Sequence, residues 1–207
     1  DYFAQETFDA KAMAEKLNSN LMRNLEQVNI MMLNLLESHD THRFFSEVGC
    51  DKDKLLAALA LEMVFVGTPC IYYGTEICME GGYDPDSRRC FDWDDSHWDK
   101  VVFEKIKALV AMKKEKVLQY GDIQIVEENH MLVVRRRWKE ASMTLWINET
   151  DSEKEIVFSQ NAMQRSILIE NGLNPVDKSA EGAICSRDNL LLKSKGFVVI
   201  KEIGGQI

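Results

Sequence analysis

The sequence predicts an α/β part followed by an all-β part. In the first part apolar residues recur at every fourth position, as in Met13, Leu17, Leu21 and Leu25, and two short apolar runs separate such helical stretches. Helical and apolar segments that alternate in this way are typical of parallel strands joined by helical crossovers. After Tyr120 the period falls to two, which is typical of antiparallel strands.

Length and charge exclude several classes of protein. With 207 residues, the chain can hold one large domain or two small ones. Its net charge of −9 argues against nucleic acid or an anionic membrane as the main partner. No apolar run approaches the length that spans a bilayer, and the amino terminus carries no signal pattern. Five cysteines without paired spacing favour a reducing compartment, so a cytoplasmic location is expected.

The first helix and the first strand lead into a polar cluster. The helix is predicted over Asp9–Leu25, and the apolar segment Val28–Leu36 is predicted to be the first strand. Parallel strands are apolar on both faces and ligands gather at their carboxyl ends, which makes His39 and Asp40 candidate site residues. A plain alternative stays open, in which Ser38 or Asp40 only caps the next helix.

A buried helix and a second strand follow. Asp51 is placed to cap a helix that is apolar almost all round over Leu55–Phe65, so this helix should be buried on more than one side. Gly67 and Pro69 then break the helix, and Cys70–Tyr73 is predicted to be a short second strand.

A long polar loop precedes the last helix of the first part. The loop spans Thr75–Trp98 and is expected to be ordered, because it carries four aromatic residues. The next helix is predicted over Val101–Val117. Its apolar face comprises Val102, Ile106, Leu109 and Val110.

The second part is predicted to be an antiparallel β-sandwich. About seven short β-rich runs, separated by Asn, Gly and Asp turns, have the spacing of such a fold. The boundary is placed near Gln119–Gly121, which gives domains over residues 1–119 and 120–207. The runs lie near Ile123, Met131, Met143–Ile147, Ile156, Ile167, Leu190 and Phe197.

Four stretches of the first part resemble one enzyme family. They are Asn34–Arg43, Gly67–Glu76, Glu80–Arg89 and the pair Trp93-Asp94. In sequence and spacing they resemble the carboxyl-terminal part of the α-amylase family of glycoside hydrolases, most closely its neopullulanase, cyclomaltodextrinase and maltogenic amylase branch. The resemblance implies the last portion of a (β/α)8 barrel, with about two strands and three helices, followed by the β-sandwich.

The resemblance also implies a chemistry that this chain holds only in part. Family members hydrolyse or transfer α-glucosidic linkages of maltodextrins, cyclodextrins or pullulan with retention at the anomeric carbon. Retention requires a carboxylate nucleophile and a carboxylic acid about 5 Å apart. In the family these groups follow the fourth and fifth barrel strands, neither of which is present here, so the chain alone is expected to be inactive.

Four residues match the family's motifs. Asp40 matches the carboxylate that stabilises the transition state, and His39 matches a sugar-binding histidine beside it. Asp84 and Arg88 match a pair that holds the next sugar, although the two could also form only a loop-stabilising ion pair. His42 and Thr75 depart from the common pattern and leave the substrate preference open.

No cofactor is expected. Asp92, Asp94 and Asp95 form an acidic run that could hold calcium, but a solvated loop with helix caps is the favoured interpretation.

The expected partners are α-glucan oligosaccharides and the missing amino-terminal barrel of the same protein. Strand edges left open by the missing barrel also predict self-association. The alternative function is a non-catalytic module for carbohydrate binding or assembly.

Overall fold

The computed structural model describes residues 2–4, 8–158, 162, 164–173 and 189–204. A helical part comes first and a sheet follows it, with the change between Tyr120 and Asp122. The division into domains 1–119 and 120–207 stays a prediction. The elements of the helical part are α1 (Ala10–Met22), α2 (Glu26–Met31), β1 (Leu33–Asn34), α3 (Phe44–Glu47), α4 (Lys52–Val64), β2 (Thr68–Pro69), α5 (Lys100–Met112) and α6 (Lys116–Tyr120).

Aspartates begin the three long helices. Asp9 accepts a hydrogen bond from the amide of Ala12 at 2.9 Å, and Asp99 caps α5 in the same way. Asp51 accepts from the amide of Asp53 at 2.9 Å, which confirms the predicted cap of α4. Ten consecutive residues of α4 are buried, so this helix is enclosed on all sides as its composition predicts.

The predicted strand over Val28–Leu36 is wrong for most of its length. Helix α2 takes its first half, and only Leu33–Asn34 forms β1. The buried side chain of Asn29 explains this outcome, because its amide donates to the carbonyl of Leu21 at 2.8 Å and closes the corner between α1 and α2. A helical turn places that amide towards α1, which a strand would not do.

The second strand also differs from its predicted position. Strand β2 is Thr68–Pro69 rather than Cys70–Tyr73, and it pairs with β1 in the predicted parallel direction. The amide of Cys70 ends the ladder by donating to the carbonyl of Asn34 at 2.8 Å. Beyond it the chain bends, with Gly74 at a φ of 86°.

The last helices and the loop need two further corrections. The helix predicted over Val101–Val117 stops at Met112 and restarts as α6. With α2 and α3, which were not predicted, the described helical part holds six helices rather than three. Val110 of the predicted apolar face is exposed, and Met112 is buried in its place. The long loop includes two short 3-10 turns, Thr75–Ile77 and Asp86–Arg88.

The second part is one antiparallel sheet. Its order is β3-β4-β5-β8-β6, and β7 pairs with the other edge of β8. The runs near Leu190 and Phe197 are a single strand, β8, so the two layers expected for a sandwich are joined into one curled sheet. The strands are β3 (Asp122–Glu128), β4 (Met131–Trp138), β5 (Ala141–Asn148), β6 (Lys154–Val157), β7 (Gln164–Leu173) and β8 (Asn189–Ile203).

The curl allows both faces of the sheet to be buried. Gly172, at a φ of 95°, lies so close to Gly196 that a Cβ atom on it would meet the Cα of Gly196 at 3.1 Å. One face, including Leu132 and Leu145, shares a core with α4 and α5, and the opposite face, including Val133, encloses a second core.

Arg136 links the two parts of the chain. It is buried and donates to the carbonyl of Val64 at 2.8 Å and to that of Gly121 at 2.7 Å. Among the described helices, none is both long enough and apolar enough to cross a membrane.

Candidate functional site

Arg88 brings the four predicted site residues together. Its Nε donates to the carbonyl oxygen of His39 at 3.2 Å and lies 2.8 Å from Oδ1 of Asp84. One terminal nitrogen lies 3.4 Å from Oδ1 of Asp40. The ion pair with Asp84 therefore exists, but the same guanidinium also reaches the loop that carries His39 and Asp40.

The His39–Asp40 turn presents its side chains to solvent. The Nε2 of His39 lies 3.3 Å from Oδ1 of Asp40, and the two side chains are 58% and 69% exposed. Ser87 fixes the backbone of this turn, because its hydroxyl donates to the carbonyl of His39 at 2.9 Å. The polar ends thus stay available to a ligand while the backbone is held by the neighbouring loop.

Strands β1 and β2 place these loops side by side. The two strands are parallel, so the loops that follow them leave from the same end of the pair. Gly81 allows the loops to pack closely, since a Cβ atom there would meet the carbonyl oxygen of Asp86 at 2.7 Å. The carbonyl of Gly81 also accepts from the amide of Arg43 at 3.0 Å.

A buried ion pair lies beneath the turn, and the sequence did not single it out. Arg43 is fully buried, and its NH1 lies 3.3 Å from Oε1 of Glu37 and 2.6 Å from the carbonyl oxygen of Tyr73. Its guanidinium also lies over the rings of Tyr72 and Tyr73, at 4.3 and 4.6 Å from their centroids. The only signal in the sequence is that Glu37 and Arg43 bracket the five residues of the turn.

Glu37, the anion of this buried ion pair, also connects the two loops. Its carboxylate accepts from the amide of Phe44 and from the hydroxyl of Thr75. The same hydroxyl oxygen lies 2.7 Å from the carbonyl oxygen of Tyr72, so its one proton is shared between two acceptors. Residues 37, 43 and 75 therefore hold the ends of the His39–Asp40 loop to the start of the next loop.

A wide cavity opens next to Asp40. It has a volume of about 840 Å³ and lies between α1, β1 and the loops. Its lining includes polar groups such as Asp40 and His42 and apolar side chains such as Leu17, Leu21 and Phe65. His42 pairs there with Glu47 and meets the ring of Tyr83 edge-on at 5.2 Å.

The acidic run near the end of the loop is internally paired. Asp92 lies 2.8 Å from Nδ1 of His97, and this hydrogen bond lowers the pKa of Asp92 and raises that of His97. Asp94 accepts from Ser96 at 2.7 Å, and Asp95 lies 2.7 Å from the ammonium of Lys100. Within the described ranges no group of three or more potential ligand side chains is gathered for a metal ion.

Comparison with known proteins gives the same family from three directions. The catalytic domain of α-amylases matches residues 1–129. A cyclomaltodextrinase of Geobacillus thermopakistaniensis is 36% identical over 160 residues, which are 75% of this chain and 27% of the relative. An intracellular maltogenic amylase of Bacillus subtilis strain 168 is 29% identical over 205 residues, which are 97% of this chain and 34% of the relative.

A solved structure agrees with these relatives. A cyclomaltodextrinase superposes with a TM-score of 0.80 at 25% identity, over 98% of this chain and 34% of that protein. The chain therefore spans about a third or less of the length of the curated relatives that it matches.

Proposed function

The chain belongs to the α-amylase family, and from this premise we propose that it is the carboxyl-terminal part of a retaining glycoside hydrolase. The parent enzyme acts on α-glucosidic linkages of maltodextrins, cyclodextrins or pullulan. The names of the cyclomaltodextrinase and maltogenic amylase relatives support this substrate class. On this proposal β1 and β2 are the last two strands of a (β/α)8 barrel, and the curled sheet is the domain appended to it.

The contact of Arg88 with both loops is the observation that carries the proposal. The guanidinium reaches Asp84 at 2.8 Å and Asp40 at 3.4 Å, and it donates to the backbone of His39. A planar guanidinium can orient a carboxylate and a sugar oxygen together. Asp40 then faces a sugar, and its second carboxylate oxygen can accept hydrogen bonds from adjacent sugar hydroxyls. His39 lies beside this carboxylate.

Asp40 contributes electrostatic stabilisation in this mechanism. Cleavage of a glycosidic bond passes through an oxocarbenium-like transition state, whose positive charge a nearby carboxylate stabilises. Asp40 does not supply the nucleophile or the general acid, because retention needs two further carboxyl groups about 5 Å apart for these roles. We propose that segments preceding this chain in the parent protein supply them, and that no metal takes part.

An apolar face of the helical part is the proposed contact with those segments. Leu25, Met31 and Leu33 are 74%, 81% and 59% exposed, respectively, and each is next in sequence to a residue that lines the cavity. In the parent protein the preceding barrel strands and helices would cover them, and in the isolated chain a second copy would. The relative named an intracellular maltogenic amylase supports a location inside the cell.

Activity of the native gene product tests the proposal. The protein as made in its own cell should be several times longer than 207 residues and should release glucose or maltose from cyclomaltodextrin. Asp40→Asn in that protein should lower kcat at least a hundredfold, as expected for a group that stabilises transition-state charge. Asp95→Asn is the matched control, since Asp95 pairs with Lys100 and not with the Arg88 cluster.

Two results would overturn the proposal. Hydrolysis by the purified 207-residue chain would show that the other carboxylates are not needed. A native product that binds maltodextrin without cleaving it would identify a non-catalytic carbohydrate-binding module instead.

A further inference from the structure

Trp93 is exposed to a degree that is unusual for its size. Its side chain is 83% exposed, whereas Trp146 is only 6% exposed. An indole ring in water leaves a large apolar area uncovered, and such exposed apolar surface commonly marks an interaction site. Neither the cluster around Arg88 nor the core of the chain uses this ring.

A cluster of aromatic rings packs against Trp93. The ring of Phe91 lies 4.7 Å from that of Trp93 and is tilted by 58°, and it meets Trp98 edge-on at 5.8 Å. Trp98 packs at 5.2 Å against Phe103 of α5, and its indole Nε1 donates to the carbonyl of Asp92 at 2.8 Å. Trp93 is therefore carried by a base that is anchored to a long helix.

The residues on either side of Trp93 in the sequence carry ionised carboxylates. Asp92 and Asp94 flank Trp93 in sequence, and the amide of Asp94 donates to Oδ1 of Asp92 at 3.0 Å. Hydrogen bonds from His97 and Ser96 hold the pKa of Asp92 and that of Asp94 below their usual range. Both groups are thus charged acceptors at neutral pH, and charged acceptors form the stronger hydrogen bonds.

We propose that Trp93, supported by Phe91 and flanked in sequence by Asp92 and Asp94, is a stacking platform for a glucose ring of an α-glucan. This site is additional to the Arg88 cluster, and its ligand class rests on the proposed function. A pyranose ring has an apolar face of C–H groups and a rim of hydroxyl donors. An apolar indole with carboxylate acceptors on the two neighbouring residues offers partners for both features.

The position and charge of the platform favour a sugar over a protein surface. Trp93 lies on the loop that follows β2, and the same loop carries Asp84 and Arg88. Ligands gather at the loops that follow parallel strands. A protein that covered the indole would also have to desolvate the neighbouring carboxylates, which is costly without cationic partners. A sugar can leave their outer sides in water.

Fluorescence titration of the 207-residue chain with maltohexaose tests the platform. Stacking should quench the exposed indole with a saturable dependence on maltohexaose. Trp93→Ala should weaken the apparent affinity at least tenfold, measured by calorimetry to be independent of the lost fluorophore. Trp93→Phe should retain part of the affinity, because a smaller ring still stacks.

Trp138→Phe is the matched control, because it removes a different, partly buried indole and should leave the affinity unchanged. Unchanged affinity in Trp93→Ala would overturn the platform and leave the proposed hydrolase standing. If maltohexaose has no effect, the platform is also wrong; protection of Trp93 from acrylamide at rising protein concentration would then identify a second copy as its cover. Conversely, Trp93-dependent binding by a parent protein that hydrolyses no glucan would remove the proposed function and retain the platform.

Discussion

The helical part and the sheet differ in how they bury apolar surface. In the sheet, both faces are covered, and the large apolar side chains left exposed in its described strands are Val157, Leu191 and Ile203. The helical part instead presents a segment rich in exposed apolar side chains, which runs from the end of α1 through α2 to the residue after β1. Its exposed members are Met22, Leu25, Val28, Ile30, Met31, Met32, Leu33 and Leu35.

The strands of the sheet are also more completely hydrogen-bonded than those of the helical part. Strand β8 is paired along both edges, with β5 and β6 on one side and β7 on the other. Strands β1 and β2 pair only with each other among the described residues, through two residues each. Such a short parallel pair cannot be stable alone, so the sheet holds this part in place, and further partners are expected to complete it.

The largest expected effect comes from breaking the buried ion pair of the helical part. Arg43→Met leaves the carboxylate of Glu37 buried without its cation, which costs about 3–5 kcal/mol. The free energy of unfolding should fall by this amount in a urea titration followed by circular dichroism. The Arg165→Met variant of the sheet should lose less, because its partner Glu202 is 22% exposed.

The double variant Glu37→Met/Arg43→Met separates charge from packing. It removes both buried charges and should recover most of the stability lost by Arg43→Met. A double variant as unstable as Arg43→Met alone would mean that packing of Arg43 on Tyr72 and Tyr73 dominates, rather than its pairing with Glu37.

A buried glutamate in each region should make the free energy of unfolding depend on pH, which is the next largest expected effect. Burial raises the pKa of Glu62 on α4 and the pKa of Glu149 after β5 to about 7, from the ordinary 4.5. Between pH 4.5 and pH 7 the folded state therefore binds more protons than the unfolded state. The free energy of unfolding should fall as the pH rises through this range. Above pH 7 the full cost of the buried charge is present.

Substitution by glutamine removes this pH dependence. Glu149→Gln should raise the free energy of unfolding at pH 8 by about 2–3 kcal/mol and change it little at pH 4. Glu62→Gln should give a smaller gain, because it also deprives Lys113 of a nearby anion that opposes the lowering of the pKa of that lysine. Equal gains at pH 4 and pH 8 would show that ionisation is not the cause.

Sequence patterns predicted what depends on local spacing. The cap at Asp51, the enclosed helix after it and the parallel direction of β1 and β2 were confirmed. The motifs also named four residues that the structure brings together around Arg88. These features are fixed by neighbours along the chain or by motif residues at known spacing.

Features set by distant contacts were missed. Asn29 in α2 bonds to a carbonyl on another helix, and buried Arg43 bonds to the carbonyl of Tyr73 on the loop after β2. The joining of two predicted runs into β8 likewise depends on pairing with three other strands. No period or propensity within a short window contains this information.

Self-association gives a third way to compare the regions. Leu33→Lys in β1 places a charge on the exposed apolar segment and should weaken association of the 207-residue chain at least tenfold, or about 1.4 kcal/mol. Val157→Lys in β6, at a residue that is 73% exposed, should have no such effect. Sedimentation equilibrium measures both variants, and a monomeric wild-type chain would contradict the expected association.

The smallest effect decides whether the two regions unfold together. Asp9→Ala removes the cap of α1 and should cost about 1 kcal/mol. Helix α1 contacts the sheet through the side-chain amide of Asn18, which donates to the carbonyl of Ile125 at 2.9 Å. The carboxyl-terminal end of α1 borders the open apolar segment, so we expect α1 to open locally without the sheet.

Hydrogen exchange distinguishes local from shared unfolding in this variant. Loss of the cap should speed exchange of the amides of α1 about fivefold, and leave the amides of β5 and β8 unchanged. Equal acceleration in α1 and β8 would instead mean that the bond from Asn18 and the shared core couple the regions into one cooperative unit. In that case the exposed apolar segment lowers the stability of both regions, and covering it should also slow hydrogen exchange in the sheet.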